Sequence, residues 1–371
     1  MTTPTAKPKR SASATDYKRN EAFIGWLMVA PAFLLLCLFL IYPFFTAFTY
    51  SFTNQRLISP NPPEFVGMRN FNRLLTLRFF TLEPERDETG AVILDEEGNI
   101  EYPRLRNFTR NAEEYPQLDG LREFNSWQWG ENRIVLLASD VVFWKSIFNI
   151  FYFVIIVAPI QGGLALLLAL MVNQKLTGVN IFRVIYFMPV VISIVVVSIL
   201  WQFIYDGQNG ILNAILSAIT FGNFEPVDWL GNPETAMNSI IAMSIWQAVG
   251  FHMVIWLSGL QTIPFVLYEA AEVSGANWWQ KFRHVTWPGL RSTAVLVTIL
   301  ITIQAFGLFA QIDVMTRGGP LDSTQTPVFQ AVQRGFEQQD ISGGSAISVV
   351  LFVMVLTISL VQRYLTRERT A

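Results

Sequence analysis

Hydrophobic and polar positions along this chain are segregated into long blocks instead of alternating at short periods. Phe23 to Phe52 is almost continuously apolar. Five further runs carry no Asp, Glu, Lys or Arg: about Ser146–Val172, Val184–Tyr205, Thr235–Leu260, Ser292–Ile312 and Ile341–Gln362. Each reaches the ~20 residues that cross ~30 Å of hydrocarbon. A charge at mid-bilayer costs about 2.5–3.5 kcal/mol, so its absence from every run is informative. The pattern predicts an all-α polytopic membrane protein with six transmembrane helices. The polar blocks then divide the chain into a tail over 1–22, a first helix over 23–52, an insert over 53–139 and a core over 145–364, with a polar loop at 261–290 inside the core.

Several details refine this division. The first apolar run is too long for a secretory h-region of about 7–15 residues and has no convincing small-residue cleavage site, so it reads as an uncleaved span. The tail before it holds Lys7, Lys9, Arg10, Lys18 and Arg19 and reads as disordered. Pro159, Gly162, Gly163 and Pro189 fall within spans, where they allow kinks and close helix approach. In the insert, Ala91–Leu94 and Ile100–Tyr102 are β-prone runs around the acidic turn Asp95-Glu96-Glu97-Gly98-Asn99, the pattern of a hairpin. Trp127-Gln128-Trp129-Gly130 is a packing or binding patch.

Composition agrees. The 371 residues are 52% hydrophobic and 15% charged, with a mean hydropathy of +0.37; soluble domains carry about 25% charged residues. A net charge of −2 gives no electrostatic footprint for nucleic acid. The single cysteine, Cys37, lies in an apolar run and reads as a small buried hydrophobe, which excludes an intrachain disulfide and a cysteine metal site. No G-x-x-x-x-G-K-[ST], H-E-x-x-H or G-x-S-x-G occurs. The chain therefore carries no visible catalytic constellation, cannot hydrolyse ATP by itself and reads as a non-enzyme.

The loop over 261–290 concentrates charge between two apolar runs. Glu269-Ala270-Ala271-Glu272 are good helix formers, and Gly275 can take the left-handed conformation that ends a helix. Asn277 follows as an N-cap, with Gln280 three residues on as its capping-box partner. Trp278, Phe282 and Val285 then form an apolar stripe at helical spacing, with Gln280, Lys281, Arg283 and His284 off it, and Pro288 is expected to stop the helix. Such a helical elbow suits docking into a cleft. Glu269-Ala270-Ala271, three residues, Gly275, nine residues, Val285-Thr286-Trp287-Pro288 resembles the EAA loop of permease subunits of bacterial and archaeal ABC importers, in which the last four positions read I-x-L-P. Five of the seven fixed positions are identical; Val285 stands for isoleucine and Trp287 for leucine.

A second segment, Asp313-Val314-Met315-Thr316-Arg317-Gly318-Gly319-Pro320, is a turn signal. It resembles the L-T-x-G-G-P stretch of the first permease subunit in maltose-type carbohydrate importers, with Met315 at the leucine and, before Asp313, Ile312 where phenylalanine is often found. Trp201, Gly210, Leu212, Asn213 and Gly344-Ser345-Ala346 fit the same branch, and the likeness spans roughly Lys145–Tyr364.

These resemblances imply an ABC transmembrane type-1 fold and a heteromeric importer: a second permease, two cytosolic ABC ATPases that bind the ATP and Mg, and an external solute-binding protein. This chain itself would bind no cofactor. Glu269, Ala270, Ala271, Gly275, Val285 and Pro288 would couple the permease to ATP hydrolysis, Glu269 pairing with a basic residue of the ATPase. The solute would be an oligosaccharide such as an α-glucoside; glycerol phosphate, peptides and amino acids are the alternatives within the class. A stand-alone channel or secondary transporter is the alternative outside it, and neither inverted repeats nor membrane-buried charges support it.

A sugar path needs polar groups inside the bundle, since lipid-facing ones are costly. The candidates are Gln202, Gln247, Gln304 and Phe306, with Gln161, Ser193 and His252. Short loops set the orientation. Asn173–Arg183 carries Lys175 and Arg183 and no acid, while Asp206–Glu234 carries four acids and no base. With Arg363, Arg367 and Arg369 at the end, both termini and the EAA-like loop are expected on the cytoplasmic side of an inner membrane, and the insert outside. The insert is then either a small subdomain touching the binding protein or an insertion with no partner role.

Overall fold

The computed structural model describes residues 14–95, 98–174 and 178–366. The basic tail residues Lys7, Lys9 and Arg10, the loop Lys175, the turn residues Glu96 and Glu97, and Arg367 and Arg369 lie outside the described residues. The fold is mostly helical. Four helices are long and apolar enough to cross a membrane, at Phe23–Tyr50, Val141–Val172, Pro233–Gln261 and Ile341–Tyr364. Two further pairs qualify only as bent units: Val179–Val191 with Ile194–Ile204, at 96°, and Trp278–Gly289 with Arg291–Phe306, at 67°. The third and fifth spans, expected as single runs with a kink allowed at Pro189 in the third, are thus broken, giving four to six crossings. In the third the break is at Ile192 and Ser193, both extended. Pro189 lies one turn earlier, inside the Val179–Val191 helix. The fifth ends at Phe306, short of the expected Ile312, and a separate helix, Ala310–Met315, follows.

The first helix begins at Ala14, nine residues before the apolar run. It continues through a π-turn at Cys37–Ile41 into Tyr42–Tyr50, and Cys37 is a free, half-buried thiol within it. This rod is exposed over most of its length, as an apolar helix facing lipid should be, and meets the last helix where Phe44 and Phe352 contact edge to face at 5.0 Å. The main core lies where 141–172 and 233–261 pack together, with Ile150, Phe153, Ile240, Met243 and Met253 almost wholly buried. Close approach is bought with small residues. A Cβ on Gly250 would run into the Tyr186 carbonyl, and one on Gly259 into the Thr293 side chain.

The two helices run in the same direction, since Tyr152 Oη donates to Asn238 Oδ1 (2.7 Å) and, further along, Trp256 Nε1 donates to the Gly162 carbonyl (3.1 Å). Their starts define one end of the bundle. That end holds the insert, the 206–232 loop and the Gly318 turn; Asn173, Gly178 and the polar elbow lie at the other. Thr53 and Ser342, whose hydroxyls are 3.1 Å apart, join the first and last helices at the insert end.

The insert folds around three antiparallel strands, β1 (Leu77–Leu82), β2 (Arg122–Trp129) and β3 (Asn132–Ala138), in the order β1-β3-β2. The pairing expected at 91–102 forms in reduced form, as the isolated antiparallel bridge of Leu94 with Ile100 and a bond from the Glu101 amide to the Ile93 carbonyl (3.0 Å), outside the three-stranded sheet. The hairpin is β2–β3: Trp129 pairs Asn132 across Gly130-Glu131, and Gly130 has φ 63°, which L-residues avoid. Leu82, Leu118, Leu121, Val135 and Leu137 give the insert its own core. Trp127 and Trp129 stay exposed. At the tip the Thr89 hydroxyl and the Ala91 amide hold Asp87 below the usual carboxylate pKa.

Where the insert runs into the bundle, an ion pair ties the start of the 141–172 helix to the Gln333–Glu337 turn. Asp140 caps the 141–172 helix by accepting from the Phe143 amide (2.9 Å) and accepts from Arg334 Nη2 at 2.6 Å.

Candidate functional site

The elbow is built by local rules that the residues obey closely. Phe265–Val273 is helical, and Gly275 ends it at φ 77°. The Gly275 amide donates to the Glu272 carbonyl and the Ala276 amide to the Ala271 carbonyl, each 2.9 Å, the paired bonds of a Schellman cap. Asn277 Oδ1 accepts from the Gln280 amide (2.9 Å) while Gln280 Oε1 accepts from the Asn277 amide (2.8 Å), so the capping box forms in full. Lys281 Nζ reaches back to Glu272 Oε1 at 2.8 Å, and Tyr268 Oη meets Thr286 Oγ1 at 3.0 Å.

Pro288 does not stop the second arm. Trp278–Lys281 passes through a π-turn at Phe282–Thr286 and on to Trp287–Gly289, turning by 67° only at Leu290. The Trp287 amide donates to the Phe282 carbonyl, five residues back. A proline ring normally collides with the carbonyl four residues earlier. The wider π-turn relieves that collision, and Pro43 follows the Cys37–Ile41 π-turn in the same way. The apolar stripe is present, with Phe282 stacked on Trp278 (5.9 Å) and Trp279 (5.6 Å), but it faces outward: Trp278 and Trp279 are exposed, as is Val273. Glu269 and Ala270 are exposed, and among the described residues Glu269 makes no salt bridge. Ala271 and Val285 are half-buried.

The Gly-Gly-Pro segment forms a pinned loop at the insert end. Gly318 has φ 83°, a Cβ there would meet the Gln325 side chain, and the Gly319–Pro320 peptide is cis. Thr324 Oγ1 donates to the Gly319 carbonyl (2.7 Å), and Asn149 Nδ2 donates to the carbonyls of Asp322 (3.0 Å) and Gln325 (3.1 Å). Asn213 closes the 206–229 loop, donating to the Val227 carbonyl (2.9 Å) and accepting from Trp229 Nε1 (2.8 Å).

Between these ends lies a cavity of about 590 Å³, lined by residues of 141–172, 233–261, 291–306 and the start of Ala310–Met315. Gln247 and Gln304 line it together, as does Gln161; Ser244 and Gln311 were not among the sequence candidates. Their signal was present, as polar positions within apolar runs, but membership of one cavity depends on helix rotation. Gln202, Phe306, Ser193 and His252 lie elsewhere, Ser193 at the break of the third span. Gln202 donates to the Val314 carbonyl (2.7 Å), tying the Ile194–Ile204 helix to the Gly-Gly-Pro segment. Phe306 is buried edge to face against Phe151 at 5.8 Å, and its neighbours Leu308 and Phe309 line the cavity instead. His252 is fully buried behind Gln161, with its Nδ1 2.9 Å from Gln161 Nε2.

A broken-helix membrane bundle with a polar elbow at one end and, inside, a largely apolar, uncharged cavity carrying a few amide groups is the architecture of a transport subunit. The chain belongs to the family of binding-protein-dependent transport system inner membrane components, whose family model matches residues 161–370. It is 28% identical over 352 residues to the trehalose/maltose transport system permease protein MalF of Thermococcus litoralis, covering 95% of this chain and 96% of that one. It is 34% identical over 244 residues to the lactose transport system permease protein LacF of Rhizobium radiobacter, covering 65% and 81%. Among solved structures, it superposes with a TM-score of 0.68 on a chain of a bacterial ABC transporter involved in import of the acidic polysaccharide alginate, at 19% identity and covering 96% and 99%. The fold is that of a type-1 ABC importer permease, and the chain is a sugar-type, multi-pass inner-membrane transport component.

Proposed function

We propose that this permease carries an oligosaccharide, such as an α-glucoside, across the cytoplasmic membrane within a complex powered by two separate ATPases. A second permease completes the pathway and an external binding protein delivers the solute. In this reading each bent pair counts as one span, giving six, with both termini and the elbow cytoplasmic and the insert outside. Relatives named for trehalose/maltose and lactose transport support the sugar class.

The observation that carries the reading is the elbow. Its two arms are fixed internally by a Schellman cap, a capping box and the Glu272–Lys281 pair, yet it presents Glu269, Trp278 and Trp279 outward. A rigid knob with an unpaired acid and exposed aromatics is suited to seating in a cleft with a basic residue. Closure of the ATPases on ATP then moves the elbow as a lever. Because its second arm runs into 291–306 through the Leu290 bend, motion there is transmitted to the helix that carries Gln304. Gln247 and Gln304 contact the solute; Gln202 and Phe306 hold the walls.

The test is a reconstituted complex with ATPase activity and sugar uptake measured side by side. Glu269→Lys is expected to leave insertion and basal ATPase activity intact and abolish uptake. Wild-type uptake would refute the coupling role.

A further inference from the structure

The sheet of the insert has two faces of different character. Residues opposite one another across antiparallel strands share a face, and the faces alternate along each strand. Phe80, Leu82, Val135 and Leu137 fall on one face, which carries the insert's own core. The other is built from Phe79 opposite Leu136, Trp127 opposite Ile134 and Trp129 opposite Asn132. It takes no part in that core: Phe79 is 72% exposed, Trp127 47% and Trp129 78%. Its strands place a single charge on it, Arg122, opposite Ala138 at the bundle end. An exposed aromatic surface of this kind marks a contact with something else.

This face runs into the flank of the bundle. The register shift between Glu123 and Asn125 leaves Phe124 as the extra residue of a bulge, and its ring stacks on Phe148 at 5.6 Å and 25°. Phe148, Tyr152 and Ile155 are exposed and recur at i, i+4 and i+7 on the 141–172 helix. Phe153, Val157 and Gln161, which line the cavity, lie on its opposite side. An apolar stripe turned away from the interior of a membrane bundle faces lipid. Tyr152, one turn past Phe148, donates to the exposed Asn238, and a tyrosine with a polar partner on such a stripe marks the headgroup level. Phe124 therefore joins the sheet to the lipid-facing flank at the depth of the interface.

We propose that this face lies on the bilayer, with Phe79, Trp127 and Trp129 sunk into the interfacial region of the leaflet at the insert end. Tryptophan suits that place, having an apolar body and one N–H donor. Thr81 and Asn132 on the same face are uncharged and find partners among the headgroups, and the Arg122 guanidinium meets their phosphates. The insert is then an anchor that holds the start of the 141–172 helix against the bilayer. Such an anchor needs no solute, ATPase or binding protein.

The test uses the full chain in phosphatidylcholine nanodiscs, with Cys37→Ser removing its single cysteine. A nitroxide is attached at Thr81→Cys, on the aromatic face, or at Gln128→Cys, on the opposite one. Power saturation compares contact with lipid-soluble oxygen and with a water-soluble nickel chelate. The Thr81 label is expected in the oxygen-rich zone, within the about 5–10 Å to which interfacial apolar faces sink. Its nickel contact should be several-fold below that of the Gln128 label. Trp127→Ser combined with Trp129→Ser should return the Thr81 label to water without changing the melting transition. The contrast between the two labels is read with both tryptophans intact, so it decides the matter even where the double variant fails to fold. Equal nickel contact at the two positions, or a Thr81 label that stays in lipid without the tryptophans, would overturn the proposal. So would a Thr81 label shielded only after the binding protein is added, which would make this a protein-docking face.

Discussion

Lys281 Nζ lies 2.8 Å from Glu272 Oε1, bridging the bend that Gly275 makes between the two arms of the elbow. The Glu272 side chain is 63% exposed, and exposed pairs contribute about 0–1 kcal/mol. The bend is therefore held chiefly by backbone geometry. Gly275→Val places a β-branched residue at φ 77°, a conformation that costs a non-glycine residue about 1–2 kcal/mol. No neighbour lies within 4 Å of a Cβ there, so the strain comes from the backbone alone. Gly275→Val is expected to uncouple ATP hydrolysis from uptake, whereas Lys281→Met should retain most uptake. Paired ATPase and uptake assays on the two variants check the order, and the reverse order would show that the ion pair sets the bend.

Asn277 is the second local determinant. Loss of an N-cap side chain costs about 1 kcal/mol, and here it also strands the Gln280 side chain that returns the bond. Asn277→Ala should speed amide exchange at Gln280 while leaving exchange in 141–172 unchanged; Asn277→Asp should restore protection. Hydrogen exchange with mass spectrometry reads both.

Asp140 has two tasks, capping a helix and pairing with Arg334, at a position that is nearly buried. Asp140→Asn keeps the cap and loses the charge pair; Asp140→Ala loses both. Breaking a buried pair from one side costs on the order of 3 kcal/mol and the cap about 1 kcal/mol more. The melting temperature in detergent should therefore fall in the order wild type, Asn, Ala. Equal melting of all three would mean that other contacts hold the start of the 141–172 helix to the Gln333–Glu337 turn.

Gly250 and Gly163 provide a packing test within the spans. Alanine at Gly250 would collide with the Tyr186 carbonyl, while a Cβ at Gly163 meets nothing within 4 Å. Overpacking typically costs about 1–3 kcal/mol. Gly250→Ala should lower thermal stability and Gly163→Ala should leave it near wild type, as measured on the purified protein.

The sequence by itself determined what depends on neighbours along the chain. The long uncharged runs specified membrane helices because no charge can be afforded there. Gly275, Asn277 and Gln280 specified the elbow because caps are satisfied within a few residues, and the structure forms each of those bonds. Tertiary structure decided what depends on packing between distant segments. Pro189 marks the third span as able to bend, but the breaks at Ser193 and Gly307 are placed by packing, and Pro288 is tolerated only because a π-turn precedes it. The insert sheet pairs Leu77 with Ala138, a register set by its own small core. Which glutamines share the cavity was fixed the same way. Gln202 and Gln304 look alike in sequence, but the rotation of their helices turns one toward the Val314 carbonyl and the other into the cavity.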